Sequence, residues 1–146
     1  MAKSYYSTVF DAPAEEVWAA ARDFNGLPTW FPAAVSRSEI EEGKTGEAVS
    51  GVRNFWFGET NVRERLVGLS DAERSYTYRF EEPVPFPVRD YEATLRVTPV
   101  TDGGRSFVEW WTTFDCAADE HERWTAFFAA EVFAPALASL RAHVGA

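Results

Sequence analysis

The sequence predicts an α+β fold in which an antiparallel sheet wraps a long C-terminal helix and leaves a cavity between the two. Three observations carry this expectation. First, Asp119 to Val144 reads as one long helix whose apolar residues do not keep to one face. At about 100° per residue, Trp124, Phe127, Phe128 and Val132 share one side, and Phe133, Leu137, Leu140 and Val144 share nearly the opposite side. The change falls at Pro135, whose missing N–H and bulky ring should bend the helix. A helix apolar on one side and then on the other has to be enclosed. Second, the chain from Ser36 to Asp115 alternates apolar and polar residues between short turns, which describes an antiparallel sheet with one wet face. Third, aromatic residues make up 16% of the chain, so rings either crowd the core or line a pocket.

Taken in order, Lys3 to Phe10 is β-branched and aromatic and reads as a strand, stopped at Asp11-Ala12-Pro13. Pro13 with Glu15 and Glu16 suits the first turn of a helix, whose stripe of Val17, Trp18, Ala21 and Phe24 ends at Asn25-Gly26. Leu27 to Phe31 is a second short helix, closed by Pro32. Ser36 to Glu41, Gly51 to Phe57 and Thr60 to Val67 follow as strands. Ser75 to Phe80 puts Tyr76, Tyr78 and Phe80 on one face. Asp90 to Thr98 puts Tyr91, Ala93, Leu95 and Val97 on one face, and after the turn at Thr101 to Gly104 a last strand aligns Val108, Trp110 and Phe114. Between two of these strands, Glu81 to Arg89 carries three prolines, which cannot donate to a ladder. It is either a stiff polyproline-like loop or a lid that presents Phe86 and Val88 at a cavity mouth. Asp119 and Glu122 have capping-box spacing at the start of the last helix.

At 146 residues the chain is expected to be one domain over 1–146, able to bury roughly 70% of its unfolded surface. A net charge of −9 with only two lysines, Lys3 and Lys44, argues against nucleic acid and against an anionic membrane surface. No apolar run approaches the roughly 20 residues of a spanning helix, and no signal-peptide core is present at the N-terminus. The expectation is therefore no membrane insertion. The single cysteine, Cys116, reads as a free structural thiol and fits a cytoplasmic location. A monomer or weak homodimer is expected.

Most catalytic patterns are missing. His121 and His143 lie about 33 Å apart on one helix and cannot share a site. No metal-ligand spacing, phosphate-binding glycine loop, dinucleotide fingerprint or nucleophile elbow occurs, so no metal and no cofactor is expected. The informative positions are charges on apolar faces. Arg53 shares a face with Phe55 and Phe57, and Glu64 shares one with Val62 and Leu66. If both faces point inward, two charges enter the interior on neighbouring strands, where desolvation requires them to be paired or used. They are either an ion pair that fixes strand register or a polar spot that orients a ligand in an aromatic cavity.

The order of these residues resembles the helix-grip fold of the START-like superfamily, also called Bet v 1-like or SRPBCC, and within it the polyketide cyclase/dehydrase family. The residues that carry the resemblance are Ala12-Pro13, Val17-Trp18, Asp23-Phe24, Trp30-Phe31-Pro32, Gly51-Val52-Arg53, Glu64-Arg65-Leu66, Asp71, Asp90-Tyr91, Trp110, Phe114-Asp115, and Leu137 and Leu140. No single motif among them is specific; their order and spacing are. The resemblance implies a curved seven-stranded antiparallel sheet around the long helix, two short helices after the first strand, and an internal hydrophobic cavity. It implies that Phe55, Phe57, Tyr78, Phe80, Tyr91 and Trp110 point inward with Phe128 and Val132. Glu64 falls where the similar plant abscisic-acid receptors place a cavity carboxylate. Their gate is reduced here to Phe57-Gly58-Glu59 and their pocket lysine corresponds to Pro32, which argues against a hormone-receptor role.

The expected function is binding of a small lipid-like, aromatic or polyketide-like molecule by Arg53, Phe55, Phe57, Glu64, Tyr78, Phe80, Phe86, Val88, Tyr91, Trp110, Phe128 and Val132. The alternative is a cyclase, aromatase or dehydratase acting in the same cavity, with Glu64, Tyr78 or Tyr91 transferring protons. A third reading is a ligand-gated module for a protein partner, which a large exposed apolar patch around Phe86 would favour.

Overall fold

A computed structural model describes residues 1–146. Strand β1 (Ala2–Phe10) is followed by two short helices, α1 (Ala14–Ala21) and α2 (Leu27–Trp30). Six strands follow: β2 (Val35–Ile40), β3 (Val52–Phe57), β4 (Thr60–Ser70), β5 (Ser75–Phe80), β6 (Arg89–Val100) and β7 (Arg105–Asp115). They form one seven-stranded antiparallel sheet in the order β1-β7-β6-β5-β4-β3-β2, so the first and second strands are its two edges. The C-terminal helix lies against the inner face, as the helix-grip expectation requires.

Alternation set the strand faces. Tyr76 and Tyr78 on β5, Ala93, Leu95 and Val97 on β6, and Val108, Trp110 and Phe114 on β7 are all buried, with Leu95 opposite Trp110 and Tyr78 opposite Ala93. The pairing of β4 with β5 shifts register between Leu66 and Gly68. A bulge there bends the strand and increases its twist, and β4 continues to Ser70, three residues past the expected end at Val67. Pro99 stands within β6 and pairs with Ser106 of β7, but β5 reaches β6 only as far as Arg96, so no β5 residue stands on its other side.

The last helix departs from the expectation in an instructive way. A 3-10 turn (Ala118–Glu120) leads into α3 (His121–Phe127), then a π-helical turn (Phe128–Phe133), then α4 (Ala134–Val144). The Ala134 N–H donates to the Ala129 carbonyl, five residues back. The widened turn sits immediately before Pro135, where an ordinary α-turn would force the pyrrolidine ring onto the carbonyl four residues earlier. Because the π turn takes up one extra residue, Trp124, Phe128, Phe133, Leu137 and Leu140 are all buried. Their spacing of four, five, four and three residues makes one continuous stripe. The two opposed faces expected from a uniform 100° period are thus a single face with a wider turn in its middle. The Asp119–Glu122 capping box does not form either, since no side chain caps the helix start.

Composition misled in one respect. The 27-residue helix Ala118–Val144 is long and apolar enough to cross a membrane by length and composition, contrary to the expectation that no segment is. Its many alanines raise the hydropathy without forming a run of large side chains, and its large buried residues face the sheet. Elsewhere the packing is tied by polar contacts. The Trp18 indole N–H and the Arg22 guanidinium both donate to Asp71, fastening α1 to the β4–β5 turn, and the Ser139 hydroxyl donates to the Trp30 carbonyl, fastening α4 to α2.

Candidate ligand pocket

Between the sheet and the π turn the structure gathers inward side chains from six strands, β2 to β7, with the C-terminal helix, the α2 segment and the loop Glu81 to Val88. Arg53 and Glu64 face each other across the β3–β4 register, which places both in the interior. Arg53 is 1% exposed and Glu64 5%. Arg53 Nε donates to Glu64 Oε1 at 2.7 Å, Nη2 lies 2.7 Å from the same oxygen in the ion pair, and Nη1 donates to the Phe24 carbonyl at 3.3 Å. Rings surround the guanidinium: its central carbon is 4.0 Å from the centroid of Phe24, 4.8 Å from Tyr78 and 5.4 Å from Phe55. Such stacking suits a flat, weakly hydrated cation removed from water. Glu64 Oε2 takes no hydrogen bond, and Glu64 lines the pocket. The sequence left two readings of this pair open; the charges are paired, and one carboxylate oxygen remains free.

Burial is the largest single influence on Arg53 and works against its charge, but Glu64 together with Tyr76 and Tyr78 outweighs it and holds the pKa above the ordinary value. Burial raises the Glu64 carboxyl above its usual range even though Arg53 pulls the other way. Burial likewise pushes the phenols of Tyr78 and Tyr91 up, and the Glu64 charge adds to the shift in both. The Trp110 indole N–H donates to the Tyr78 hydroxyl at 3.0 Å, which fixes that oxygen at the pocket floor.

The open space is small. Two adjoining pockets of about 40 Å³ each lie end to end, where the expectation was one hydrophobic cavity. The outer one is lined by Phe55, Phe57, Val62, Glu64, Tyr78, Phe80, Phe86, Tyr91, Phe128 and Val132. The inner one keeps Phe55, Phe57, Glu64, Tyr78 and Val132 and adds Leu27, Phe31, Val35, Arg53, Trp110 and Ala136. Rings fill the rest of the volume: Phe80 stacks on Tyr91 at 4.0 Å between centroids, and Trp110 on Phe133 at 4.9 Å.

Of the twelve residues singled out in the sequence, eleven therefore converge on these two pockets. Val88 does not; it is buried beneath the loop and lines a separate surface cleft with Arg79, Val84 and Arg89. Leu27, Phe31, Val35, Val62 and Ala136 were missed. Val62 shared a strand face with Glu64 and could have been found, whereas the contribution of α2 depends on how that short helix folds back over the sheet. Phe86 packs inward on Trp124, Phe127 and Phe128 at 5.5, 5.1 and 5.7 Å between centroids. The exposed large apolar side chains, Met1, Tyr5, Val9 and Val49, lie elsewhere, so no apolar patch surrounds Phe86.

Comparison with known proteins agrees with this architecture. No curated protein sequence matches the chain. A protein from Thermobifida fusca solved in solution is similar at 30% identity and a TM-score of 0.87, over 99% of this chain and 94% of that one. Norcoclaurine synthase from Thalictrum flavum, solved with a transition-state analogue, has the same fold at 14% identity and a TM-score of 0.77, over 97% and 92% of the two chains. The di-domain ARO/CYC protein BexL of the BE-7585A biosynthetic pathway shares the fold at 22% identity and a TM-score of 0.78, with 99% of this chain covering 47% of that one. The profile of the family described as polyketide cyclase / dehydrase and lipid transport matches residues 1–145. The chain belongs to that family.

Proposed function

We propose that the chain binds a small, largely apolar molecule between the sheet and the π turn. The observation that carries this reading is a buried carboxylate with one unpartnered oxygen at the junction of two ring-lined pockets. Apolar walls with a few fixed polar groups are the usual composition of small-molecule sites, which occupy about 300 to 1,000 Å³. The pockets are far smaller, so binding requires rings to turn. Phe57, Phe80, Phe86 and Val132 are only half-buried and surround the mouth, where such movement displaces the fewest neighbours. Titration with fluorescent apolar probes and with fatty and polycyclic aromatic compounds tests this reading. Saturable quenching of tryptophan emission, with Kd in the micromolar range or below, is the expected result. Absence of saturable binding across the panel overturns it.

One observation favours an enzyme as the second reading. Glu64, its carboxyl pKa raised by burial, lies with Tyr78 and Tyr91 in a pocket whose lining is otherwise apolar, an arrangement suited to proton transfer. A cyclase or dehydratase would fold a reactive chain against the walls and move protons through Glu64 or one of the two phenols. Glu64→Gln keeps an acceptor for Arg53 and should abolish turnover while leaving binding nearly intact. An unchanged rate removes Glu64 from the mechanism.

A further inference from the structure

We infer that the molecule this pocket takes carries its hydrogen-bond donor near the middle, between two apolar arms. The inference rests on the proposed pocket and specifies its ligand. The two spaces are not alternatives but two lobes of one channel, because five side chains line both. Glu64 is among them, with Val132 facing it from the π turn and Tyr78 beside it. The carboxylate therefore stands at a waist. One lobe adds Phe80, Phe86 and Phe128; the other adds Leu27, Phe31 and Trp110, with Arg53, already paired to Glu64, as its one further charged group. A molecule that fills both lobes passes Glu64 at its midpoint, and one that keeps its polar group at an end leaves that group among rings.

Two further facts define what the waist accepts. Arg53 engages Oε1 by the Nε hydrogen bond and the close Nη2 ion-pair contact and is itself held by the Phe24 carbonyl and its ring cage, so the carboxylate is restrained. Oε2 is thus left in a fixed direction, and an ionised carboxylate oxygen only accepts. The Tyr78 hydroxyl already receives the Trp110 indole N–H, and Thr112 donates to the Glu92 carbonyl. A hydroxyl or N–H at the ligand's centre satisfies Oε2. A carbonyl there sets two lone pairs against each other, and a purely apolar centre leaves the oxygen unpartnered in a dry site, both of which are unfavourable.

The test varies the ligand and leaves the protein intact. Four probes of similar size are titrated against the full chain by calorimetry: dibenzyl carbinol, dibenzyl ketone, dibenzylmethane, and a diphenylpropanol isomer with its hydroxyl at the chain end. The central alcohol should bind about tenfold tighter than each of the others, as expected for a hydrogen bond to a charged acceptor. Equal affinities for the central alcohol and dibenzylmethane overturn the inference and leave the pocket reading standing. Preference for the ketone or for the terminal alcohol does the same. If none of the four binds, the inference and the pocket reading fall together.

Discussion

A guanidinium with 1% of its surface exposed is tolerable only because each side of it is occupied, by Glu64, by the Phe24 carbonyl and by rings. That interdependence makes the single replacements harsher than the double one. Arg53→Met should destabilise the fold by about 3 to 5 kcal/mol, since it strands a buried carboxylate, whereas Arg53→Met combined with Glu64→Leu should be near neutral or stabilising. Urea unfolding of the three chains checks this, and a harmless single variant overturns it. Glu64 also carries a pH signature. Its folded pKa is raised, so near the ordinary carboxylate value of about 4.3 the folded chain holds a proton that the unfolded chain releases. Its contribution is present below that value and is lost as pH rises through the folded one. The stability of the native chain relative to the double variant should therefore fall as pH climbs from about 4 through that window. This pair was legible in the sequence because alternation alone put both charges on inward faces. Which carboxylate oxygen stays free was not, since it depends on how the guanidinium docks among Phe24, Phe55 and Tyr78.

At the scale of elements, the strands could be read closely because a strand's side-chain period is fixed at two and each face declares itself within four or five residues. The helix could be read for its existence but not for its face, because its period changes at the π turn and the sequence marks that change only by Pro135. The two turns that flank the proline also bear on the pocket, since Phe128 and Val132 are carried by the widened one. Deleting Ala130, which is exposed, should convert the π turn to a regular one and keep Phe128, Phe133 and Leu137 on one stripe. The deletion variant should fold with a clear loss of melting temperature, because the regular turn brings the proline ring against the carbonyl four residues earlier, and should bind probes differently, because Val132 leaves the waist. Deleting Ala138 should unfold the chain by turning Leu140 off the sheet. Circular dichroism melts distinguish the two. The loop from Glu81 to Val88 is the other mobile candidate. Its start is tied by the Glu81 N–H to the Arg63 carbonyl and by Arg63 to the Glu82 carbonyl, while residues 83–87 donate no backbone hydrogen bond to the sheet or the helix. Phe86 is what holds its middle down, so Phe86→Ala should speed probe association severalfold in stopped-flow mixing while costing about 1 to 2 kcal/mol of stability. An unchanged association rate removes the loop from the access route.

For the whole molecule, a single antiparallel sheet was readable because alternating segments joined mostly by short turns pair with their neighbours in sequence, whereas the pairing of β1 with β7 is not local in sequence. The volume left inside was not readable. It is the difference between a sheet's curvature and the rings that fill it, and neither quantity is local in sequence. The pockets of about 40 Å³ imply that a bound molecule replaces ring–ring contacts with ring–ligand ones. Any probe present at 100 times its Kd should then stabilise the chain by about 2.7 kcal/mol, read as a dose-dependent rise in melting temperature of several degrees. Quenching without such a rise would place the probe on the surface.

The proline content of the loop has a consequence for how its motion can be observed. Pro83, Pro85 and Pro87 carry no amide hydrogen, so residues 83–87 offer only the amides of Val84 and Phe86 to isotope exchange. A loop that opens thousands of times a second would leave almost no trace in an exchange experiment, and its silence there would look like rigidity. A fluorinated ring at Phe86 would report instead, because opening carries that nucleus from a nest of aromatic currents into water.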